Sequence, residues 1–334
     1  MTPEPTITTG GHGPWRFVAG SATGTSHVAS GLPNQDRCVI VPLDDGSLII
    51  GVADGAGSAA QAGLGAELAL QAAVTALRAQ SSDAPQEHAA EQRPGAAELD
   101  APAQGNPKVP VITDQGADYS AVMQDMGAAS VTVKPEPSFA RVISAALHRA
   151  LPALSEPAVQ NADEPAKPVA PPHPLAAAFK ARLDDLLACQ GGEARDYHAT
   201  LMAARLHPDG AGVLLSCGDA LAITGDASGA YACPVDPQSG EYVGQTTFPA
   251  TADASAIHVT AINAPFLLLS SDGLSPLLLS GAAPHGPAVT PLRSWLGAQP
   301  IAPVATGVHA LLHSAQATGR ADDDLTLVLA SWQP

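Results

Sequence analysis

An acidic residue directly follows an apolar run in the stretch Val52-Ala53-Asp54-Gly55-Ala56-Gly57-Ser58. The apolar run over residues 48–52 predicts a buried strand, and the turn-forming residues 44–46 connect it to a second apolar run over residues 39–41. We therefore expect a β-hairpin with Asp54 at its edge, where the sheet would hold the carboxylate in place while solvent can still reach it.

Other acidic residues repeat this design at the edges of predicted strands: Asp36 before residues 39–41, Asp272 after residues 266–269, and Asp323 before residues 325–330. Each pattern alone is common, because Asp-Gly often forms a turn and Asp often caps a helix. The combination is more specific, since carboxylate oxygens are the ligands that hard cations such as Mg²⁺ and Mn²⁺ prefer.

Composition limits the class of protein. The chain has 334 residues, of which 46% are hydrophobic but only 4% aromatic, so the core must be mainly aliphatic. A formal charge of −17 argues against nucleic acid and anionic membranes as partners. The four cysteines form no Cys-x-x-Cys pair, and the N-terminal residues lack the apolar segment of a secretory signal. These features predict a cytoplasmic protein with reduced thiols.

The chain is predicted to be one α+β catalytic domain over residues 1–334, with a core at about 15–79 and 138–334. Residues 80–137 are rich in Ala, Pro and Glu and nearly free of aromatic residues, which predicts a flexible insertion. Ser58 followed by Gln61 predicts a capping box at the start of a helix. Further helices are predicted over residues 139–154, 175–189 and 304–317, and strands over residues 199–206, 213–217 and 221–224.

Six motifs occur in an order that resembles a known family: Gly24-Thr25-Ser26-His27, Gly31-Leu32-Pro33-Asn34-Gln35-Asp36, the stretch 52–58, Cys217-Gly218-Asp219, Ser270-Ser271-Asp272-Gly273, and Asp323-Asp324-Leu325-Thr326. Through them the chain resembles the type 2C, or PPM-type, metal-dependent Ser/Thr protein phosphatases, and in particular their bacterial members. The resemblance extends from Phe17 to Ser331 and excludes the insertion.

The resemblance implies a four-layer α-β-β-α sandwich of two antiparallel sheets flanked by helices. It also implies a phosphatase that hydrolyses phosphoserine and phosphothreonine by attack of a metal-bridging hydroxide. The expected cofactor is Mn²⁺ or Mg²⁺, with two ions bound and a weaker third. The expected partner is a phosphorylated protein, with the enzyme opposing a Ser/Thr kinase.

Roles for individual residues also follow from the resemblance. Asp54 would bridge both metals, the Gly55 carbonyl would bind the second metal, and Asp272 and Asp323 would hold the first.

The remaining motif residues would act around these ligands. Asp36 would orient metal-bound water, Asp219 would help to hold the third metal, and His27 would give a proton to the leaving group. Asp324 would help to hold the metal ligands in place without binding a metal itself.

The sequence departs from the family pattern at three positions. Gln35 stands where many relatives have Glu, while Gly31 and Ala56 stand where eukaryotic relatives have Arg and His. The alternative hypothesis is therefore a pseudophosphatase that serves as a phosphoprotein- or kinase-binding regulatory module. A third hypothesis is an interaction protein whose insertion carries the function.

Overall fold

Two antiparallel sheets form the centre of the protein in the computed structural model, which describes residues 5–80, 129–130, 171–236, 246–297, 302–313 and 322–333. Its strands are β1 Thr6–His12, β2 Trp15–Ala22, β3 Arg37–Pro42, β4 Leu48–Ala53, β5 Ala129–Ser130, β6 Leu201–Leu206, β7 Ala211–Cys217, β8 Leu221–Gly225, β9 Tyr231–Ala232, β10 His258–Asn263, β11 Phe266–Ser270, β12 Leu279–Ser280, β13 Ala283–Pro284 and β14 Leu325–Trp332. Its helices are α1 Thr25–Ser30, α2 Ala62–Ala79, α3 Pro174–Gln190, α4 Ser275–Leu278, α5 Gly286–Gly297 and α6 Ala302–His313.

Among the described residues, the larger sheet has the order β5-β1-β2-β14-β11-β8-β9 and the smaller one the order β10-β7-β6-β4-β3. Apolar side chains fill the space between the sheets, including Trp15, Phe17, Ile50 and Leu267. Because strand side chains alternate between faces, each sheet presents a second apolar face on its outer side. Helices cover both outer faces.

The two helical layers differ in their origin along the chain. Helices α2 and α3 pack on the smaller sheet, with Leu70, Leu77 and Phe179 fully buried between them. Helices α5 and α6 pack on the larger sheet around Leu296 and Val308. Burying a side chain of this size stabilises a fold by about 1.5–3 kcal/mol. The predicted four-layer α-β-β-α sandwich is therefore confirmed.

The predicted hairpin is observed, with β3 and β4 in antiparallel register and Arg37 opposite Ala53. The predicted capping box at Ser58 is wrong, because α2 begins at Ala62 after Gln61, whose side chain makes no capping hydrogen bond. The backbone before α2 bonds instead to residues 196–198, with the Ala56 amide donating to the His198 carbonyl and the Gln61 amide to the Asp196 carbonyl.

Several elements were not predicted. Strands β1 and β2 lie near the N-terminus, partly ahead of position 15, where the predicted core starts. The residues of β1, Thr-Ile-Thr-Thr-Gly-Gly-His, form no apolar run, and pairing with β2 along all seven residues supplies what the pattern lacks. Helix α5 was missed because it contains Pro291, a residue that usually ends helices.

The predicted insertion over residues 80–137 lies mostly outside the described residues, so its flexibility and the single-domain division stay predictions. Two of its residues form β5, which pairs with β1. The helix predicted over residues 139–154 and the end of the one predicted over 304–317 also lie outside the described residues. Within the described part of the chain, none of the helices has the length and apolarity needed to cross a membrane.

Candidate metal centre

Strand register brings the predicted acidic residues to one end of the sandwich. Asp36 precedes β3 and Asp54 follows β4, and the pairing of Arg37 with Ala53 places both at the same end of the smaller sheet. In the larger sheet Ser270 pairs with Leu327, which places Asp272 and Asp323 at one end of their strands. Leu221 pairs with Ser270, so Asp219 lies at that end as well.

A buried polar network holds the loop that carries Asp36. Asn34 is 1% exposed; its side-chain amide donates to Ser21 Oγ at 2.9 Å, and its Oδ1 accepts from the Asp36 amide at 2.8 Å. Ser21 Oγ lies 2.7 Å from Thr326 Oγ1, which ties this loop to β14. The Asp36 carboxylate is therefore held at the junction of the two sheets.

The Asp36 carboxyl is buried at 2% exposure, and among the described residues neither of its oxygens has a hydrogen-bond partner of standard geometry. Burial and the negative charge of Asp324 raise its pKa from 3.8 to about 8, against the nearby side chains of Ser271, Thr326 and Asp54, which lower it. A buried carboxylate without a partner is costly unless a cation compensates it.

Burial and neighbouring negative charges also raise the pKa values of the Asp54 and Asp272 carboxyls. Burial, followed by the charges of Asp36, Asp272 and Asp323, raises the pKa of Asp54 well above its ordinary value. Asp272 is exposed at the rim, but partial desolvation of its carboxyl and the charges of Asp219 and Asp323 still raise its pKa. Crowded carboxylates of this kind fit divalent cations, which would remove the repulsion between them.

Hydrogen bonds join the start of the loop after Asp54 to the segment that leads into β6. The Asp54 amide donates to Thr200 Oγ1 at 3.1 Å, and the Thr200 amide donates to the Asp54 carbonyl at 2.8 Å. A Cβ on Gly55 would lie 2.9 Å from the carbonyl oxygens of both Gln35 and Ala62. Glycine is therefore required by the close approach of three backbone segments.

Asp324 acts as a buried acceptor that joins three segments. Its Oδ1 accepts from the Gly24 amide at 2.7 Å, and its Oδ2 accepts from the Gln35 amide at 2.6 Å. Its Oδ2 also lies 2.9 Å from Nδ1 of the buried His27 ring. His27, Asp323 and Asp324 have potential ligand atoms within 4.8 Å of one another. The loops that carry Gly24 and Gln35 are thus anchored directly beside Asp323.

Gln35 and Arg37 flank Asp36 and behave differently. The Gln35 side-chain oxygen is buried and, within the described residues, has no hydrogen-bond partner. The Arg37 guanidinium folds back on its own loop, and Nη1 donates to the Asn34 and Asp36 carbonyls, both at 2.8 Å. Arg37 therefore braces the loop of Asp36 with this part of its side chain.

The structure brings the predicted acidic residues together at one end, whereas the residues that support them were not predicted. Asn34 gave a usable signal, since Asn often bonds the backbone two residues ahead. Thr200 and Thr246 gave none, because Thr200 contacts a residue 146 positions away and Thr246 contacts Asp219 across 27 positions.

The protein phosphatase 2C family profile matches residues 23–313. The chain therefore belongs to the protein phosphatase 2C family, a class of metal-dependent serine/threonine phosphatases. One curated relative, serine/threonine-protein phosphatase 3 of Escherichia coli (strain K12), is 48% identical over 64 residues. That match covers 18% of this chain and 25% of the relative, so the chain matches only a quarter of the relative's length.

Solved structures that match this chain include the catalytic domain of the serine/threonine phosphatase PstP in complex with two manganese ions. That match has 15% identity and a TM-score of 0.48, and it covers 98% of this chain and 100% of that one. Stp1 from Staphylococcus aureus matches at 12% identity and a TM-score of 0.44, covering 96% and 95% of the two chains. RsbX in complex with magnesium matches at 11% identity and a TM-score of 0.45, covering 98% and 100%.

Proposed function

We propose that this protein is a metal-dependent phosphatase that hydrolyses phosphoserine and phosphothreonine in proteins. The observation that carries the proposal is the buried Asp36 carboxyl, whose two oxygens have no partner of standard geometry among the described residues and whose neighbours are the carboxyls of Asp54 and Asp324. Such a cluster is unfavourable by itself and becomes favourable around divalent cations. Membership of a phosphatase family supports the same conclusion.

The proposed ligands are those at the junction of the two sheets. Asp54 would bridge two cations, Asp272 and Asp323 would complete the first site, and the Gly55 carbonyl would contribute to the second. Asp219 would help to hold a weaker third ion. Oxygen ligands alone, with no cysteine or histidine required, favour Mn²⁺ or Mg²⁺ over softer metals.

The chemistry divides between the cations and the chain. Bound divalent cations would supply hydroxide near neutral pH and neutralise charge on the phosphoryl oxygens. Asp36 would accept hydrogen bonds from the attacking water through its unpartnered oxygens and so orient it. Asn34 and Arg37 would keep Asp36 in place through the backbone of its loop.

The proposal is tested by hydrolysis of a phosphothreonine peptide with and without Mn²⁺, before and after chelation. We expect turnover that requires the metal, is lost on chelation and returns when Mn²⁺ is added, because the crowded carboxylates of Asp36, Asp54 and Asp272 need cations to neutralise them. If the folded, Mn²⁺-loaded protein hydrolyses no phosphopeptide, the regulatory binding module becomes the better explanation. We also propose that the substrate is a phosphorylated protein and that the enzyme opposes a Ser/Thr kinase.

His27 is proposed as the general acid for the leaving group. Its contact with Asp324, the residue after Asp323, supports this placement. We expect His27→Gln to lower kcat on a phosphoserine peptide about 100-fold, the lower end of typical general-acid effects, while an aryl phosphate, a better leaving group, changes only a few-fold. The exposed His258→Gln serves as the control. An equal loss on both substrates would assign His27 a purely structural role.

A further inference from the structure

One corner of the acidic cluster is held by a residue from a separate segment. Thr246 Oγ1 donates to Asp219 Oδ2 at 2.6 Å, and both residues are half-buried. A hydrogen bond to a charged acceptor at this length is among the stronger ones in proteins. Because this hydrogen bond restricts rotation of the Asp219 carboxylate, its removal would let the carboxylate turn away from a cation.

The segment that carries Thr246 is itself docked at several points. The Phe248 ring stacks on His198 with centroids 4.5 Å apart and planes inclined by 19°. His198 Nε2 lies 3.0 Å from Thr251 Oγ1, and the Thr251 amide donates to the Phe248 carbonyl at 3.2 Å. These contacts hold the residues that directly follow Thr246 against His198.

The same docking reaches the loop after Asp54. The His198 carbonyl accepts from the Ala56 amide at 3.0 Å, next to the bridge between Gly55 and Ala199. Residues 246–252 therefore contact, through His198, the backbone that carries the proposed bridging ligand. His198 therefore contacts both the segment that carries Thr246 and the loop that follows Asp54.

We propose that Thr246 is a positioning residue that orients Asp219 for a divalent cation and so sets the affinity of the weaker metal site. The inference rests on the proposed function only in taking the acidic end of the sandwich as a metal site. A group that hydrogen-bonds a metal-binding carboxylate typically changes metal affinity 10- to 100-fold when removed. Thr246 is outside the family motifs of the chain, and its role follows from the contact with Asp219.

The test is Mn²⁺ binding to the full-length protein, followed by calorimetry and by the signal of free Mn²⁺ in electron paramagnetic resonance. We expect wild type to show a tight class of sites and a weaker one that Asp219→Asn abolishes. Thr246→Val should weaken the weaker class about 10- to 100-fold and leave the tight class unchanged. Thr246→Ser, which keeps the hydroxyl, should bind as wild type does.

Matched variants separate positioning from general damage. Thr75→Val removes an exposed helical hydroxyl that donates to the Gln71 carbonyl, and it should leave both classes unchanged. In the Asp219→Asn background, Thr246→Val should have no further effect, since the two residues act through one contact. Wild-type binding by Thr246→Val, equal weakening of both classes, or a wild type without a weaker class would each overturn the inference.

The outcome is distinguishable from failure of the proposed function. If Mn²⁺ binding follows the expected pattern but no phosphopeptide is hydrolysed, the positioning role stands and the phosphatase proposal falls. If hydrolysis requires Mn²⁺ but Thr246→Val binds the ion as wild type does, the phosphatase proposal stands and the role of Thr246 falls.

Discussion

Asp54→Asn is expected to lower phosphopeptide turnover about 1,000-fold or more. The Asp54 carboxylate would hold the divalent cations, whose positive charge would stabilise the transition state by several kcal/mol. Each 1.4 kcal/mol corresponds to about tenfold in rate. The amide keeps the shape of the side chain but supplies no negative charge. The measurement is kcat/KM on a phosphothreonine peptide at saturating Mn²⁺.

The control is Asp44→Asn, a change of the same size and charge in the exposed turn between β3 and β4. It should leave turnover unchanged. Asp54→Asn should also remain folded without metal, because it removes a charge that burial and three neighbouring aspartates make unfavourable. Normal turnover by Asp54→Asn would show that the metal ligands have been assigned wrongly.

The metal-free protein is expected to lose stability as the pH rises from about 4 to about 8. The pKa of Asp36 is about 8 in the folded protein and 3.8 ordinarily, so between these values the folded state binds a proton that the unfolded state has released. Stability therefore falls across this window and levels off above it. The expected change in the free energy of unfolding is on the order of a few kcal/mol.

Urea unfolding of the chelated protein at pH 5 and pH 8 measures this change. Asp36→Asn cannot ionise and should reduce the difference, whereas Asp44→Asn should retain it. Mn²⁺ added at pH 8 should restore stability, since a ligand that binds only the folded state stabilises it. A metal-free wild type that becomes more stable between pH 5 and pH 8 would contradict the proposed charge cluster.

Much of the architecture was predictable because it depends on local patterns. The apolar runs of β3, β4 and β11 and the helical spacing of α3 are properties of neighbouring residues, and the structure contains all of these elements. β1 and α5 could not be predicted in this way. β1 depends on pairing with β2, and α5 tolerates Pro291 while burying Leu296 against the larger sheet.

The same distinction between local pattern and long-range contact applies to the candidate site. The sequence by itself determined which residues carry the charge, since an aspartate at the end of an apolar strand can be recognised from its neighbours. Only the tertiary structure decided what holds those carboxylates: Asn34 and Ser21 support Asp36, Thr200 pins the Asp54 loop, and Thr246 reaches Asp219. The reason is physical: a hydrogen bond forms where backbone and side chain meet in space, and strand register and loop docking determine that meeting over distances that no local pattern encodes.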